Sequence, residues 1–305
     1  MTASTPIADF TITAPAKINL YLHVTGRRED GYHYLDSLVG FTDIGDRITV
    51  GKAPSFSFAV TGPMAQSLAG TDPEANLVVR AARALAVAAQ RDLHCVLTLE
   101  KNLPLASGIG GGSSDAAATL LALALVWDLP GDALPLAAIA RSLGQDVAAC
   151  LHRRPCYFRN IGDRIEPAPD LPPMAILLAN PGVQVPTPDV FARRIGKFSL
   201  PAGLPPAPCD LAALVQQLKQ RRNDLYEPAI QLAPEIGDCL SAVAATPYCL
   251  LARMSGSGAT CFGLYAESAQ AVAAAAQLKA RYPHWWVQAG HMPFADRRPA
   301  MLRRN

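Results

Sequence analysis

The stretch with the clearest chemical potential is a glycine- and serine-rich loop, PLASGIGGGSSDA, at residues 104–116. It follows a segment that predicts a strand and precedes an alanine- and leucine-rich segment, 114–127, that predicts a helix. Glycines at such a junction let backbone N–H groups at the positive end of the helix approach a phosphate. Ser113, Ser114 and Asp115 are also able to cap the helix. The loop is therefore either a phosphate cradle or an ordinary turn.

Two familiar phosphate-binding motifs do not fit this loop. A P-loop ends in Gly-Lys-Ser/Thr, whereas this loop ends in Gly112-Ser113-Ser114 without a lysine. The dinucleotide fingerprint G-x-G-x-x-G begins at Gly108 and Gly110 but meets Ser113 where its third glycine belongs. A hydride-transferring dinucleotide enzyme is therefore disfavoured, and the loop needs support from the rest of the chain.

Composition limits the classes of protein that need to be considered. The 305 residues are 50% hydrophobic and 17% charged with a net charge of +2, which predicts a large core and no general nucleic-acid surface. The N-terminal segment 1–10 lacks the basic start and apolar run of a secretory signal, and no segment reaches the roughly 18 apolar residues of a membrane span. The seven cysteines form no C-x-x-C pair and predict scattered reduced thiols. We expect a cytoplasmic monomer or homodimer without nucleic-acid or membrane partners.

Hydrophobic periodicity predicts alternating strands and helices along the chain. The predicted strands are 9–24, 46–59, 95–99, 175–179, 261–265 and 285–289, and the predicted helices are 76–89, 114–127, 134–143, 211–219, 225–230 and 269–281. Prolines crowd residues 167–208, which predicts a passage between two domains, 1–168 and 169–305.

Three motifs in order along the chain resemble those of the GHMP kinases. They are PAKINL at 15–20, the loop at 104–116 and MSGSGATC at 254–261. That superfamily takes its name from galactokinase, homoserine kinase, mevalonate kinase and phosphomevalonate kinase. The resemblance implies an α+β, two-domain GHMP kinase fold, with a ribosomal-S5-like N-terminal domain, a ferredoxin-like C-terminal domain and a site in the cleft between them.

Further motifs resemble one branch, the diphosphocytidyl kinases of the non-mevalonate isoprenoid pathway. They are DGYH at 30–33, Asn76-Leu77, LGQDV at 143–147, PGV at 181–183 with PTP at 186–188, and NDL at 223–225. This branch uses ATP with Mg²⁺ to phosphorylate a hydroxyl of a small molecule that carries a cytidine diphosphate group.

The resemblance also implies roles for individual residues. Asp146 corresponds to the aspartate that accepts the proton of the substrate hydroxyl, and Lys17 corresponds to the active-site lysine beside it. The ATP-binding set is Pro104, Ala106, Ser107, Gly108, Ile109, Gly110, Gly111, Gly112, Ser113 and Ser114, with Asn76 and Lys101 bordering the adenine. The substrate set is Tyr32 and Phe191 stacked on the cytosine, His33 on the base edge, and Asn19 and Thr187 in polar contact with the substrate. No metal site built only of protein ligands is expected.

The chain departs from the branch pattern at several places. Val147 is followed by Ala148 instead of proline, and a Gly-x-Gly-Glu segment appears as NIGD at 160–163, which leaves the roles of Asn160 and Asp163 open. Arg297, Arg298, Arg303 and Arg304 are expected to form a solvated tail.

Two alternatives to the diphosphocytidyl kinase stay open at this point. The first is another GHMP small-molecule kinase of the homoserine or mevalonate type, against which Tyr32, His33 and Phe191 argue. The second is a catalytically silent nucleotide-binding regulator, against which the intact Lys17 and Asp146 argue.

Overall fold

The computed structural model describes residues 9–129, 136–204 and 207–293. Its strands are β1 Phe10–Arg27, β2 His33–Lys52, β3 Ser57–Thr61, β4 Cys95–Glu100, β5 Cys156–Asn160, β6 Arg164–Pro167, β7 Met174–Asn180, β8 Leu251–Met254, β9 Cys261–Tyr265 and β10 Trp286–Met292. Its α-helices are α1 Leu77–Ala89, α2 Gly111–Val126, α3 Leu136–Leu143, α4 Gln145–His152, α5 Thr187–Arg193, α6 Leu211–Lys219, α7 Tyr226–Leu232, α8 Glu235–Ala244 and α9 Ser268–Arg281.

The first sheet is built around the long strand β2. Its order is β3-β4-β2-β5-β6, and β1 pairs along β2 as an antiparallel hairpin. All of these pairs are antiparallel except β3 with β4. Helices α1 to α4 pack with this sheet around an N-terminal core that includes Leu97, Leu120 and Val147.

The second sheet has the order β10-β7-β9-β8, and each neighbouring pair is antiparallel. Counted along the chain, β7, α8, β8, β9, α9 and β10 follow the β-α-β-β-α-β sequence of a ferredoxin-like unit. A C-terminal core that includes Leu177, Ile236 and Leu278 lies between the sheet and its helices. The α+β fold expected from the resemblance is therefore confirmed.

A third cluster, the junction core, joins the two sheets. It includes Ile18 of β1, Ile176 of β7 and Phe262 of β9. Strand β7 is buried along its whole length because its alternate side chains enter different cores. Met174, Ile176 and Leu178 enter the junction core, whereas Ala175, Leu177 and Ala179 enter the C-terminal core. The two sheets are thus packed on each other through apolar side chains.

Strand β1 contributes to all three cores. Its even-numbered side chains are Ile12 and Ala14 in the N-terminal core, Ala16, Ile18 and Leu20 in the junction core, and Leu22 and Val24 in the C-terminal core. This alternation leaves Lys17 and Asn19 on the other face, where both line a cleft.

Several predicted elements are confirmed and others are wrong. Helix 211–219 begins and ends where predicted, and strand 261–265 does too. The single strand predicted at 46–59 is wrong. Its first part is the end of β2, which begins at His33, and its last part belongs to a separate strand, β3. Short elements without a strong period were missed: β5, β6, β8, α4, α5 and α8. The start of the helix predicted at 134–143 and the four C-terminal arginines lie outside the described residues.

The predicted domain boundary at 168/169 falls in the connection between β6 and β7. It stays a prediction, since strand β1 and the junction core link the two sides of that boundary.

All seven cysteines are free thiols, five of them buried. In the described part of the chain, no helix has the length and apolar character needed to cross a membrane.

A buried ion cluster lies beneath the glycine loop. The ammonium of Lys101 contacts a carboxylate oxygen of Asp46 on β2 and lies 2.8 Å from Oδ2 of Asp115 on α2. The other Asp46 oxygen accepts from the backbone amides of Asn102 and Leu103, at 2.5 and 2.8 Å. Each of the three charged side chains is at most 3% exposed. The cluster therefore holds β2, the end of β4 and the start of α2 together.

Two carboxylates share one ammonium in this cluster. Burial raises the pKa of Asp115 well above its ordinary range, and Lys101 only partly opposes this shift. Burial alone would lower the pKa of Lys101, but Asp115 and Asp46 raise it overall. The favoured state thus has a charged Lys101 beside a protonated Asp115.

Removing the ammonium should destabilise the fold. Lys101→Met leaves buried carboxylates without a counter-charge, so we expect the free energy of unfolding to fall by about 3–5 kcal/mol. The fall should be smaller at pH 5 than at pH 8, because a carboxyl whose folded pKa is raised favours the folded state only when protonated. Urea denaturation at both pH values measures it. Lys52→Met, at an exposed lysine that ends β2, is the control, and equal stability of the two variants would contradict the assignment.

Candidate active site

A cleft of about 860 Å³ opens beside β1, the glycine loop and the starts of α4 and α5. Most of the residues that the sequence analysis selected line it. They are Lys17, Asn19, Tyr32, His33, Pro104, Ala106, Ser107, Gly108, Gly110, Gly111, Gly112, Ser113, Asp146, Thr187 and Phe191. Residues that are up to 174 positions apart in the chain thus share one concave surface.

Lys17 and Asp146 form an ion pair on the wall of this cleft. Lys17 Nζ donates to Asp146 Oδ2 at 3.1 Å, and the ammonium lies 5.4 Å from the ring centre of Phe158. The lysine is buried, whereas the Asp146 side chain is 39% exposed and therefore open to a ligand. Asp146 lies in the first turn of α4, whose N-terminal dipole favours a negative charge there. The pair combines a fixed cation with an accessible carboxylate.

The loop passes into α2 differently from the prediction. Helix α2 begins at Gly111, three residues earlier than expected, with Gly110 in a left-handed conformation as its N-cap. No side chain caps the helix, so the expectation that Ser113, Ser114 or Asp115 caps it is wrong. Gly110 permits this early start because its φ of +64° suits glycine, and a Cβ there would lie only 3.3 Å from the Lys17 side chain.

The consequence is an anion-binding helix start. The first N–H groups of α2 have no partner within the helix and receive no side-chain cap, and the residues that carry them, Gly111, Gly112 and Ser113, line the cleft. Ser113 lines the cleft, but Ser114 is buried and its hydroxyl does not reach it. This geometry suits a phosphate group.

The segment 254–261 braces the glycine loop from the C-terminal side. Ser255 Oγ donates to Gly108 O at 3.0 Å and accepts from Asn19 N at 3.1 Å. The amide of Thr260 donates to Ser107 O at 3.1 Å. One short turn of the ferredoxin-like unit therefore holds both the glycine loop and strand β1.

The NDL motif at 223–225 positions that turn. Asn223 Nδ2 donates to the carbonyls of Met254 and Gly256, each at 2.8 Å. Asp224 Oδ2 accepts from the amide of Val24 at 2.8 Å, which ties the motif to β1. Its contribution is to place the walls of the cleft.

Asn19 presents an unpaired acceptor. Its Nδ2 donates to Ser37 Oγ at 2.8 Å, whereas its Oδ1 is buried and has no hydrogen-bond partner among the described residues. Because Asn19 lines the cleft, a hydroxyl of a bound molecule would satisfy this oxygen. Across the cleft, Thr187 Oγ1 lies 2.8 Å from Ser257 Oγ.

An aromatic group forms the other end of the cleft. The rings of His33 and Phe191 stack with centroids 5.2 Å apart and an interplanar angle of 25°. Tyr32 is 60% exposed at the lip, although it lines the cleft. Burial, Arg27 and Arg194 lower the pKa of His33, so the imidazole is neutral at pH 7. A neutral imidazole stacked on an aromatic face suits a planar heterocycle.

Four selected residues do not line the cleft. Lys101 is 1% exposed within its ion cluster, and Asn76 caps α1 by accepting from Val78 N at 2.9 Å. The side chain of Ile109 is in the junction core, and Ser114 is buried in α2. The expected adenine contact of Lys101 is therefore incompatible with its position, because both carboxylates hold its ammonium inside the protein.

Sequence reasoning missed several residues of the cleft. Arg27, Gln145, Phe158 and Ser257 all line it. Gln145 and Ser257 lie inside the quoted motifs at 143–147 and 254–261, and Arg27 lies three residues before the motif at 30–33, so their place in the sequence was the available signal. Phe158 belongs to β5, a strand too short for its hydrophobic period to be recognised, so the sequence held no signal for it.

The structure gives Asn160 and Asp163 a local role. Asn160 Nδ2 donates to Asp163 Oδ1 at 2.8 Å within the β5–β6 turn.

Comparison with known proteins gives a consistent family. The GHMP kinases N terminal domain matches residues 76–154, and the GHMP kinases C terminal domain matches residues 210–284. A 4-diphosphocytidyl-2-C-methyl-D-erythritol kinase of Paramagnetospirillum magneticum is 50% identical over 281 residues, which cover 92% of this chain and 98% of that relative. One of Cereibacter sphaeroides is 53% identical over 285 residues, with the same coverage. The chain belongs to this family of GHMP kinases.

Solved structures agree with that assignment. A crystal structure of 4-(cytidine 5'-diphospho)-2C-methyl-D-erythritol kinase matches with a TM-score of 0.77 and 34% identity, over 94% of this chain and 100% of that one. The homoserine kinase of Cytophaga hutchinsonii matches with a TM-score of 0.69 at 17% identity, over 95% and 96% of the chains. The second likeness concerns the fold alone, which is common to GHMP kinases of different substrates.

The fit between the loop and the 254–261 turn can be tested at one glycine. A Cβ on Gly108 would lie 2.4 Å from Ser255 O, and its φ of +75° strains any other residue. Gly70 has φ +76° but open space around its Cβ position, so Gly70→Ala isolates the backbone strain of roughly 1–2 kcal/mol. We expect Gly108→Ala to lower the free energy of unfolding further, by at least about 1 kcal/mol, and to weaken ATP binding.

Urea denaturation and calorimetric titration with ATP measure the two effects. If Gly108→Ala and Gly70→Ala have the same stability and the same affinity for ATP, the close contact is not important for the loop.

Proposed function

We propose that this GHMP kinase transfers the γ-phosphate of ATP to the 2-hydroxyl of 4-diphosphocytidyl-2-C-methyl-D-erythritol, giving the 2-phosphate and ADP in the non-mevalonate route to isoprenoid precursors. The observation that carries the proposal is the Lys17–Asp146 pair, 3.1 Å apart, in the same cleft as the uncapped start of α2. The identity of about 50% to kinases of that name supports the substrate.

The uncapped turn of α2 binds the phosphates of ATP in this proposal. Its free N–H groups and the positive end of the helix attract the negative charge, and Gly110, Gly111 and Gly112 keep side chains out of the way. In the described residues no group of three or more His, Cys, Asp and Glu forms a metal cluster. Ser113 and Asp146 offer oxygen atoms to Mg²⁺, which neutralises phosphate charge when bound with ATP.

Asp146 accepts the proton of the substrate hydroxyl. Its exposed carboxylate can reach a hydroxyl in the cleft, while Lys17 on its buried side stabilises negative charge on the carboxylate and on the developing alkoxide. Asn19 Oδ1, buried without a partner in the part of the chain that the structure describes, accepts from another hydroxyl of the substrate and orients it. The protein thus supplies positioning and charge, which phosphoryl transfer requires.

The aromatic end binds the cytosine. Tyr32 and Phe191 supply flat apolar faces, and neutral His33 forms a hydrogen bond with the base edge. A homoserine or mevalonate substrate carries no ring to occupy this end. The likeness to kinases of those substrates is below 20% identity and extends to the fold alone. Measured ADP release with each of the three substrates separates them.

The role of Asp146 gives the sharpest kinetic test. Asp146→Asn keeps the shape of the side chain but removes the base, so kcat should fall by roughly 100-fold or more while ATP affinity stays nearly intact. Asp238→Asn, an exposed aspartate in the first turn of α8, is the matched control and should keep full activity. A fully active Asp146→Asn enzyme would rule out this mechanism.

Substitution of the aromatic residues should affect binding of the cytidine substrate and not of ATP. Tyr32→Ala and Phe191→Ala should each raise KM for the cytidine substrate by about tenfold, because base stacking is worth roughly 1–3 kcal/mol. KM for ATP should change less than twofold. Steady-state kinetics with each substrate varied in turn measures both values, and equal loss of both ligands would indicate a folding role.

A further inference from the structure

The charged side chains of the cleft differ in whether they have a partner of opposite charge. Lys17 is paired with Asp146 at 3.1 Å, and Asp30 is paired with Arg28 at 2.7 Å. Arg27 also lines the cleft, but among the residues at 9–129, 136–204 and 207–293 no carboxylate oxygen lies within 4 Å of its guanidinium. Its Nε donates to Gly31 O at 3.3 Å. Arg27 is thus a cation in the cleft without a counter-ion.

The position of Arg27 relates it to the aromatic end. It is the last residue of β1 and pairs in register with His33, the first residue of β2. His33 in turn stacks on Phe191. The proximity is close enough for the positive charge of Arg27 to contribute to the lowered pKa of His33, after the larger effect of burial. The guanidinium therefore lies next to the proposed cytosine site.

We propose that Arg27 binds the diphosphate group of the cytidine substrate. This inference rests on the proposed function, because it takes the cytosine to lie on Tyr32 and Phe191. A diphosphate attached to that cytidine carries about two negative charges and needs a cation beside the base. The planar guanidinium suits phosphate oxygens because it can donate two parallel hydrogen bonds. Arg27 would then distinguish a cytidine diphosphate from an uncharged cytidine.

Neighbouring arginines do not offer the same contact. Arg28 is paired with Asp30, whose Oδ1 also accepts from Tyr32 N at 3.2 Å. Arg194 donates to the carbonyls of Gly196 and Lys197 and does not line the cleft. Arg27 is therefore the arginine whose donors remain available in the described cleft.

Calorimetric titration with cytidine 5′-diphosphate and with cytidine tests the proposal without turnover. Arg27→Gln should weaken cytidine 5′-diphosphate by about tenfold to 100-fold and leave cytidine unchanged, because the lost contact is a charge-assisted hydrogen bond. Arg27→Lys keeps the charge and should recover part of the affinity. Arg281→Gln, an exposed arginine in the last turn of α9, removes the same net charge far from the site and should behave as wild type.

Kinetics of the same variants provide the second readout. Arg27→Gln should raise KM for the cytidine substrate by a similar factor, while kcat and KM for ATP change less than twofold. Unchanged affinity for cytidine 5′-diphosphate in Arg27→Gln, or an equal rise in KM for ATP, would overturn the role of Arg27 but not the proposed function. If the wild-type protein binds neither cytidine probe and does not turn over the substrate, the proposed function itself fails.

Discussion

The burial of strand β1 is the constraint on which the rest of the structure depends. Its even-numbered side chains enter three successive cores, so the strand cannot slide or rotate without exposing apolar surface in each of them. The period of two then directs Lys17 and Asn19 to the opposite face. Both functional side chains are therefore positioned by the hydrophobic effect acting on their neighbours.

The glycine loop is positioned by both halves of the molecule. The backbone amide of Lys17 donates to Ile109 O at 2.9 Å from the N-terminal side, and Ser255 contacts Gly108 from the C-terminal side. Beneath the loop, Lys101, Asp46 and Asp115 form their buried cluster. These contacts hold the loop from below and from both sides, and the start of α2 receives no side-chain cap. A phosphate site results because this helix start lies on the cleft, with its first N–H groups free of helical partners.

The correct and the wrong predictions differ in whether the contacts that decide them come from neighbouring residues or from distant parts of the chain. Helix α6 was predicted to the residue, because its period and its N-cap Asp210 are local. The predicted start of α2 was wrong, because the loop before it is held by hydrogen bonds from Lys17 and Ser255, which lie in distant segments. Lys101 was misplaced for the same reason. A lysine after a strand usually reaches solvent, and only Asp46 and Asp115, 55 and 14 residues away, keep it inside.

The sequence by itself determined the alternation of β1, the glycines that permit an early helix start, and the order of three motifs that indicates a GHMP kinase. Those properties depend on residue type and short spacing, which a sequence contains. The tertiary structure alone decided that Lys17 meets Asp146, that Ser114 and Lys101 are buried, and that Arg27 has no counter-ion among the described residues. These outcomes depend on which charges lie within a few ångströms of each other in space. The number of residues between two charges in the sequence does not determine that distance.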